Sequence, residues 1–284
     1  MKISPVTGKY VYVDVGGIEY KVFFLENGEG IPLVCQHTAG CHNHQWRYLL
    51  EDPDITKNFR VIAYDLPLHG KSDPPFNAEW WKEQYDLTAR HFIDFIVSFC
   101  QTLELENPVF IGASMAGCIA LHLAYEYPDY FKAVIGLEGA DYTPGLYNDW
   151  FAHSHVHSAE VCSCIATSVM APVPLIPERD RRLTSFYYSQ GAPGILKGDL
   201  YFYSVDHDMR ETVHKIDTKK CPVFMLTGEY DYLTTPQYSK ATADKIPGAE
   251  FIEMKGVGHF PMSENHETLK KYIMPVLGKI REIK

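Results

Sequence analysis

Positive charge, regularly spaced cysteines and long uninterrupted apolar runs are all scarce in this 284-residue sequence. Lysine and arginine total 26 against 36 acidic residues, and the resulting net charge of -10 repels phosphate backbones and excludes a nucleic-acid footprint. The seven cysteines (35, 41, 100, 118, 162, 164 and 221) are odd in number and lie mostly within apolar stretches. That pattern excludes the framework of a small disulfide-stapled domain and fits reduced thiols in a cytosolic compartment. The opening MKISPVTGKYVYVDV has no apolar core followed by a small-residue cleavage site, so no export signal and a cytoplasmic location are expected. The best candidate for a membrane span, Val109 to Ala124, has only 16 residues and contains Gly112, Ser114, Gly117 and His122. A spanning helix needs roughly 20 apolar residues, so no membrane partner is expected.

What is present is an ordinary globular composition, 46% apolar and 22% charged, long enough for one large domain or a domain with an insert. Lys9 to Asn27 reads as a hairpin around Gly16-Gly17. Short, continuously apolar runs at 31–36, 59–65, 108–112 and 132–138 have the pattern of strands covered on both faces. Helical spacing marks 84–103, where Leu87, His91, Phe92, Phe95, Ile96 and Phe99 form one stripe, and helices are also expected at 45–50 and 115–127. From residue 141 to 215 the strand pattern vanishes, then resumes with CPVFMLTGEYD at about 221, a helix at 235–245, a strand at 249–254 and a closing helix at 263–282. The alternation predicts an α/β domain with a mainly parallel sheet, its core formed by residues 1–140 and 216–284 and interrupted by an insert over 141–215.

Gly112-Ala113-Ser114-Met115-Ala116-Gly117 falls where a buried strand turns abruptly into a helix. A turn this sharp strains its central residue and tolerates only small neighbours, and it lifts the serine oxygen to a helix N-terminus where free N–H groups can hold an oxyanion. The stretch resembles the G-x-S-x-G nucleophile elbow of the α/β-hydrolase family, with Ala116 at the last small position and Gly117 one step later. The resemblance spans nearly the whole chain outside the insert. It implies an eight-stranded, mainly parallel sheet flanked by helices, with a helical cap inserted after the sixth strand. The family's order of serine, acid and histidine places the acid at Asp231, after FMLTGEYD, and the histidine at His259, in KGVGHFPMSE. Glu138 and Asp141, after the preceding strand, are the alternative acids. The implied oxyanion donors are the N–H groups of Met115 and of Ala39, in the loop Gln36-His37-Thr38-Ala39-Gly40, where Thr38 replaces a usual glycine. Asp65 to Ser72 resembles the family's turn after the fourth strand, with Leu68 in place of a glycine and a structural role.

The insert is rich in aromatic residues (Phe186, Tyr187, Tyr188, Tyr201, Phe202, Tyr203), and its place between strands bordering the triad makes it the roof of a pocket for an apolar or aromatic substrate. Thr38, Trp150 and Met170 are the candidate substrate contacts, and a substrate-facing histidine is plausible in Cys41-His42-Asn43-His44. Arg181, Arg182 and Arg210 carry the charge to bind a carboxylate, although exposed arginines commonly face only solvent. Trp150 to His157, with Cys162 and Cys164, offers ligand types that suit zinc or copper. Its alternating histidines share a face only on a strand and diverge by roughly 200° per pair on a helix, so no metal is expected.

Together these features imply a serine hydrolase that cleaves a carboxylic ester, lactone or thioester of a small, largely apolar substrate through an acyl-enzyme, with no cofactor. A carbon-carbon bond hydrolase of ring-fission diketones is the alternative. A cofactor-free oxygenase, to which CHNHQWRYLL has some likeness, and a ligand receptor are the alternatives of another class on the same fold. The partner is a small-molecule substrate, and a homodimer is among the oligomeric states the sequence allows.

Overall fold

The computed structural model describes residues 3–148, 158–192 and 194–283. β1 (Thr7–Val15) and β2 (Ile18–Asn27) form the expected antiparallel hairpin. Gly16 and Gly17 both have positive φ, the two-residue turn whose twist matches paired strands. β2 pairs antiparallel with β4 (Phe59–Tyr64), and all later neighbours are parallel: β3 (Ile31–Gln36), β5 (Val109–Ala113), β6 (Ala133–Leu137), β7 (Val223–Gly228) and β8 (Glu250–Met254). The eight strands run in the order β1-β2-β4-β3-β5-β6-β7-β8. Every residue of β5, β6 and β7 is buried, which accounts for their unbroken apolar sequences, whereas the edge strand β8 is largely half-buried and keeps two glutamates.

Helices cover the sheet. α1 (Arg47–Glu51) and α2 (Pro53–Thr56) join β3 to β4. α3 (Ala89–Thr102) starts five residues later than the apolar stripe suggests, because the Thr88 hydroxyl accepts the His91 N–H and caps the helix there. Its Phe95 and Phe99 pack against Tyr64 of β4. α4 (Met115–Glu126) follows β5 and lies so close to β6 that a Cβ on Gly117 would sit 2.2 Å from the Leu137 carbonyl oxygen.

Between β6 and β7 the described residues contain no strand of the sheet; the segment is built from α5 (Ser158–Val169), α6 (Glu178–Tyr188), α7 (Ile195–Tyr201), a wider turn over Phe202–Asp206 and short 3-10 turns at Val173–Leu175 and Val213–Lys215. A bridge between Tyr142 and Asp208 draws the two ends of this helical segment together at its base. α8 (Pro236–Ala243) then precedes β8, and the closing helix divides into α9 (Pro261–Glu264) and α10 (His266–Glu282), because the Asn265 side chain caps a new start by accepting the Thr268 N–H. Cys35, Cys41, Cys100, Cys118, Cys164 and Cys221 form no disulfide, and of these Cys164 alone is exposed. No helix among the described residues is long and apolar enough to cross a membrane.

The approach of α4 to β6 yields a direct test. Gly117→Ala forces a methyl into a backbone carbonyl and should cost about 1–3 kcal/mol. Urea unfolding checks it, and a variant as stable as the parent would mean that α4 can stand off from β6.

Candidate active site

Ser114 occupies the corner between β5 and α4 with φ 58° and ψ -118°. These angles are costly for any residue with a side chain, typically about 1–3 kcal/mol, and they persist only where the surroundings enforce them. Enforcement comes from the Ser114 N–H, which donates to Leu137 O at 2.9 Å, and from its carbonyl, which accepts the Cys118 N–H at 3.0 Å. Gly112 lacks a side chain for a steric reason: a Cβ there would lie 2.5 Å from that of Ala116. Alanine at 116 is therefore compatible with the turn because glycine faces it. Glu138, at the end of the neighbouring β6, also has positive φ, so two adjacent parallel strands end in strained residues beside one another.

The side chains expected at the site converge. His259 Nδ1 and Asp231 Oδ2 are 2.7 Å apart, and both residues are buried. Asp231 Oδ1 accepts the N–H groups of Leu233 (2.9 Å) and Thr234 (3.1 Å), which fixes the carboxylate and leaves Oδ2 for the imidazole. With its proton on Nδ1, His259 presents an unprotonated Nε2. Ser114 and His259 line the same cavity. No hydrogen bond joins their side chains, as is common before substrate arrives. The Ser114 side chain instead interacts with the Tyr203 hydroxyl, which also pairs with Thr234 Oγ1 at 2.7 Å.

A second acid borders this pair. The Glu138 carboxyl receives the Gly228 N–H at 3.0 and 3.1 Å and hydrogen-bonds Asp231. Burial, and then the adjacent Asp231 carboxylate, push Glu138 well above the usual carboxylate range. Ligand-type atoms of Glu138, Asp231 and His259 lie within 4.8 Å of one another, but they are engaged with each other rather than turned toward a common vacant centre. Asp141, the other alternative acid, is committed elsewhere, to Lys245 Nζ at 2.6 Å and Thr242 Oγ1 at 2.9 Å.

The loop after β3 supplies the facing wall. Thr38 N–H donates to Gln45 Oε1 at 2.9 Å and Gly40 N–H to Asp199 Oδ2 at 2.7 Å, while the Ala39 N–H between them has no partner among the described residues. Met115 N–H, in the first turn of α4, is likewise unengaged among the described residues. His37 donates from Nδ1 to Thr38 O (2.8 Å) and accepts the Leu66 N–H at Nε2 (3.1 Å), and burial holds its pKa well below the ordinary histidine value, so it is a neutral structural ring. Thr38 Oγ1 bonds Gln45 and the Tyr188 hydroxyl of α6, which ties the loop to the helical segment above it. In the turn after β4, Leu68 takes φ 69°, a left-handed position natural to the glycine it replaces.

The cavity has a volume of about 220 Å³. Besides Ser114, His259, Thr38 and Ala39, its wall is made mainly of Leu146, Ile165, Val169, Leu196, Leu200 and Phe260, with several hydroxyl groups and the exposed Cys164. No Asp, Glu, Lys or Arg lines it among the described residues. Of the expected substrate contacts, Thr38 is in the wall; Met170 is not, because its backbone passes against Gly258 where the helical segment meets the His259 loop. Trp150 and the histidines at 153, 155 and 157 lie outside the described residues. His42 and His44 face a separate cavity with Lys71 and Gln190. Arg181 and Arg182 pair with Glu178, and Arg210 with Asp208.

Comparison with known proteins extends these findings. Residues 31–266 match the model of the alpha/beta hydrolase fold. Over 97% of its length the chain is 24% identical to 97% of the 2-hydroxy-6-oxononadienedioate/2-hydroxy-6-oxononatrienedioate hydrolase of Paraburkholderia phymatum. Among solved structures, a hydrolase from Pseudomonas aeruginosa is similar with a TM-score of 0.81 and 18% identity, covering 95% of this chain and 98% of that one. A thermophilic esterase from Thermogutta terrifontis matches with a TM-score of 0.74 and 22% identity, over 96% and 99%. At such identities the solved structures speak for the fold alone.

Sequence reasoning missed Glu264, which is fully buried and accepts the Gly258 N–H and, at 3.0 Å, the Ala171 N–H. It staples the His259 loop to the end of the helical segment. Burial raises its pKa to about 7 against the pull of those two donors. A folded-state pKa above the ordinary carboxylate value favours folding at low pH, and that contribution is lost as pH rises from about 4.5 through about 7. Glu264→Gln, uncharged throughout, should escape this loss, so its stability relative to the parent should improve between pH 5 and 8 in chemical denaturation. Parallel stability curves would contradict the assignment.

Proposed function

The chain belongs to the alpha/beta hydrolase fold family, and on that premise we propose that it is a serine hydrolase acting on a small, uncharged, largely apolar carboxylic ester, lactone or thioester. The observation that carries this reading is the uncharged apolar cavity that holds Ser114 and His259 in its wall, with Asp231 behind the imidazole. In the proposed cycle His259 Nε2 takes the Ser114 proton as Oγ bonds to the substrate carbonyl carbon. The Met115 and Ala39 N–H groups receive the resulting oxyanion, each such donor commonly contributing a factor of 10²–10³. His259 then protonates the leaving oxygen or sulfur as its bond to the acyl carbon breaks. Water, deprotonated by His259, attacks the acyl carbon; the bond to Ser114 Oγ breaks, His259 returns the proton to Oγ, and the acid leaves. The sequence balances with water as the only second reactant.

Asp231 holds the imidazole in the Nδ1–H tautomer, and Glu138 packs behind Asp231, where the Gly228 N–H fixes its carboxyl. Residues 141–215 serve as the cap, with Ile165, Val169, Leu196 and Leu200 as its contribution to the pocket. Free thiols among the described cysteines support a cytoplasmic setting.

Cleavage of a carbon-carbon bond in a ring-fission diketone is the second reading, favoured by the name of the Paraburkholderia relative, a 2-hydroxy-6-oxononadienedioate hydrolase. That relative acts on a dioate, whose two carboxylates call for cationic or strongly donating partners. The cavity here offers neither lysine nor arginine among the described residues, which supports the neutral ester.

Steady-state kinetics separate the readings. A 4-nitrophenyl butyrate should be hydrolysed at least about tenfold better than the 4-nitrophenyl monoester of succinic acid, and Ser114→Ala should lower kcat on the butyrate by roughly 10³ or more. Undiminished turnover in that variant, or preference for a ring-fission dioate, would overturn the proposal.

A further inference from the structure

Asp199 belongs to α7, within the proposed cap, yet its side chain is fully buried and reaches the loop after β3. Three donors converge on the carboxylate. Gly40 N–H and His69 Nε2 meet Oδ2 at 2.7 and 2.9 Å, and the Tyr85 hydroxyl meets Oδ1 at 3.1 Å. His69 Nδ1 lies 2.9 Å from Pro67 O, an atom that can only accept. A ring that donates from both nitrogens is an imidazolium, so Asp199 and His69 form an ion pair with both partners withdrawn from solvent. Burial pulls the His69 pKa down, and the adjacent Asp199 carboxylate outweighs it, leaving the value raised.

This pair is expensive to bury and contacts nothing in the cavity, so its placement calls for a reason. The Gly40 hydrogen bond supplies one. Gly40 has φ 68° and directly follows Ala39, whose N–H is open, while the amides on either side are both tied, Thr38 to Gln45 and Gly40 to Asp199. Two anchored peptides leave the unit between them little freedom to rotate. An oxyanion donor is effective only when its direction is fixed before charge develops.

We propose that Asp199 is a positioning residue for catalysis: with His69 as its charge partner it clamps Gly40, and thereby aims the Ala39 N–H at the oxygen of the reacting carbonyl. The proposed cap then contributes to the oxyanion site as well as to the pocket wall, and α7 stays docked on the core throughout turnover. This inference rests on the serine-hydrolase reading given above.

The test begins with the intact protein. In hydrogen exchange followed by NMR, the Gly40 amide should exchange at least about 10²-fold more slowly than the Ala39 amide, and a boronic acid, which becomes tetrahedral on a reactive serine, should then protect Ala39. Rapid exchange at Gly40 would overturn the clamp without any variant being made. Asp199→Asn keeps the shape and removes the charge. It should lower kcat about 10- to 100-fold with KM changed less than about threefold, and boronic acid affinity should fall in step with kcat/KM. Val276→Ala, a cavity in α10 that lowers stability remotely, should leave kcat intact. A folded Asp199→Asn enzyme with parental kcat, or one altered only in KM, would overturn the proposal. If activity proves independent of Ser114, the hydrolase reading itself fails; if Ser114 is required and Asp199→Asn is unimpaired, only this inference does.

Discussion

The backbone at Ser114 is the constraint around which the rest of the molecule is arranged. A residue with a side chain is held at φ 58° because β5 must turn into α4 within one position, and because the Leu137 carbonyl of β6 fixes its N–H. Three strands buried at every residue anchor that corner, and Gly112 and Gly117 remove the atoms that would keep strand and helix apart. The strain is local, and the burial that offsets it is spread over the sheet. In return, the hydroxyl stands at a helix N-terminus at the edge of a cavity, beside open backbone N–H groups.

Around that corner the protein accumulates buried acids to an unusual degree. Asp231, Glu138, Glu264 and Asp199 are all essentially withdrawn from water, and each meets backbone N–H groups, a histidine or another carboxyl. Each has a separate physical task. Asp231 orients an imidazole, Glu138 ties the end of β6 to Gly228 at the end of β7, Glu264 staples the His259 loop to the helical segment, and Asp199 holds one end of the loop facing the serine. The cavity itself is left free of charge among the described residues. The carboxylates are thus confined to the layer behind the reacting groups, where the effective dielectric is low and orientation counts most.

The division between what could and could not be read from the sequence follows contact range. The sheet is legible because its apolar runs are local, and Ser114 stands out at the end of one of them; Asp231 and His259 follow from the resembled family's order of serine, acid and histidine along those strands. Helix starts at Ala89 and His266 were less so, since they depend on capping by Thr88 and Asn265 against an apolar pattern that continues past the cap. Asp199 and Glu264 give no signal, because each acquires its meaning from a partner more than 80 residues away, whereas Tyr203 is legible as a pocket aromatic but not as a partner of Ser114. Gly117 appeared as a displaced copy of the usual small residue; its closeness to Leu137 shows an independent steric reason. Met170, an expected substrate contact, lies outside the wall, where its neighbour Val169 stands instead.

The central claim is that Ser114 becomes nucleophilic because His259, oriented by Asp231, can take its proton. Fluorophosphonate trapping followed by mass spectrometry of the digested protein tests it most directly. The account predicts one stoichiometric adduct on Ser114, formed at least about 10²-fold more slowly when His259 is replaced by alanine. An adduct on another residue, or labelling of Ser114 at an unchanged rate without the imidazole, would contradict it.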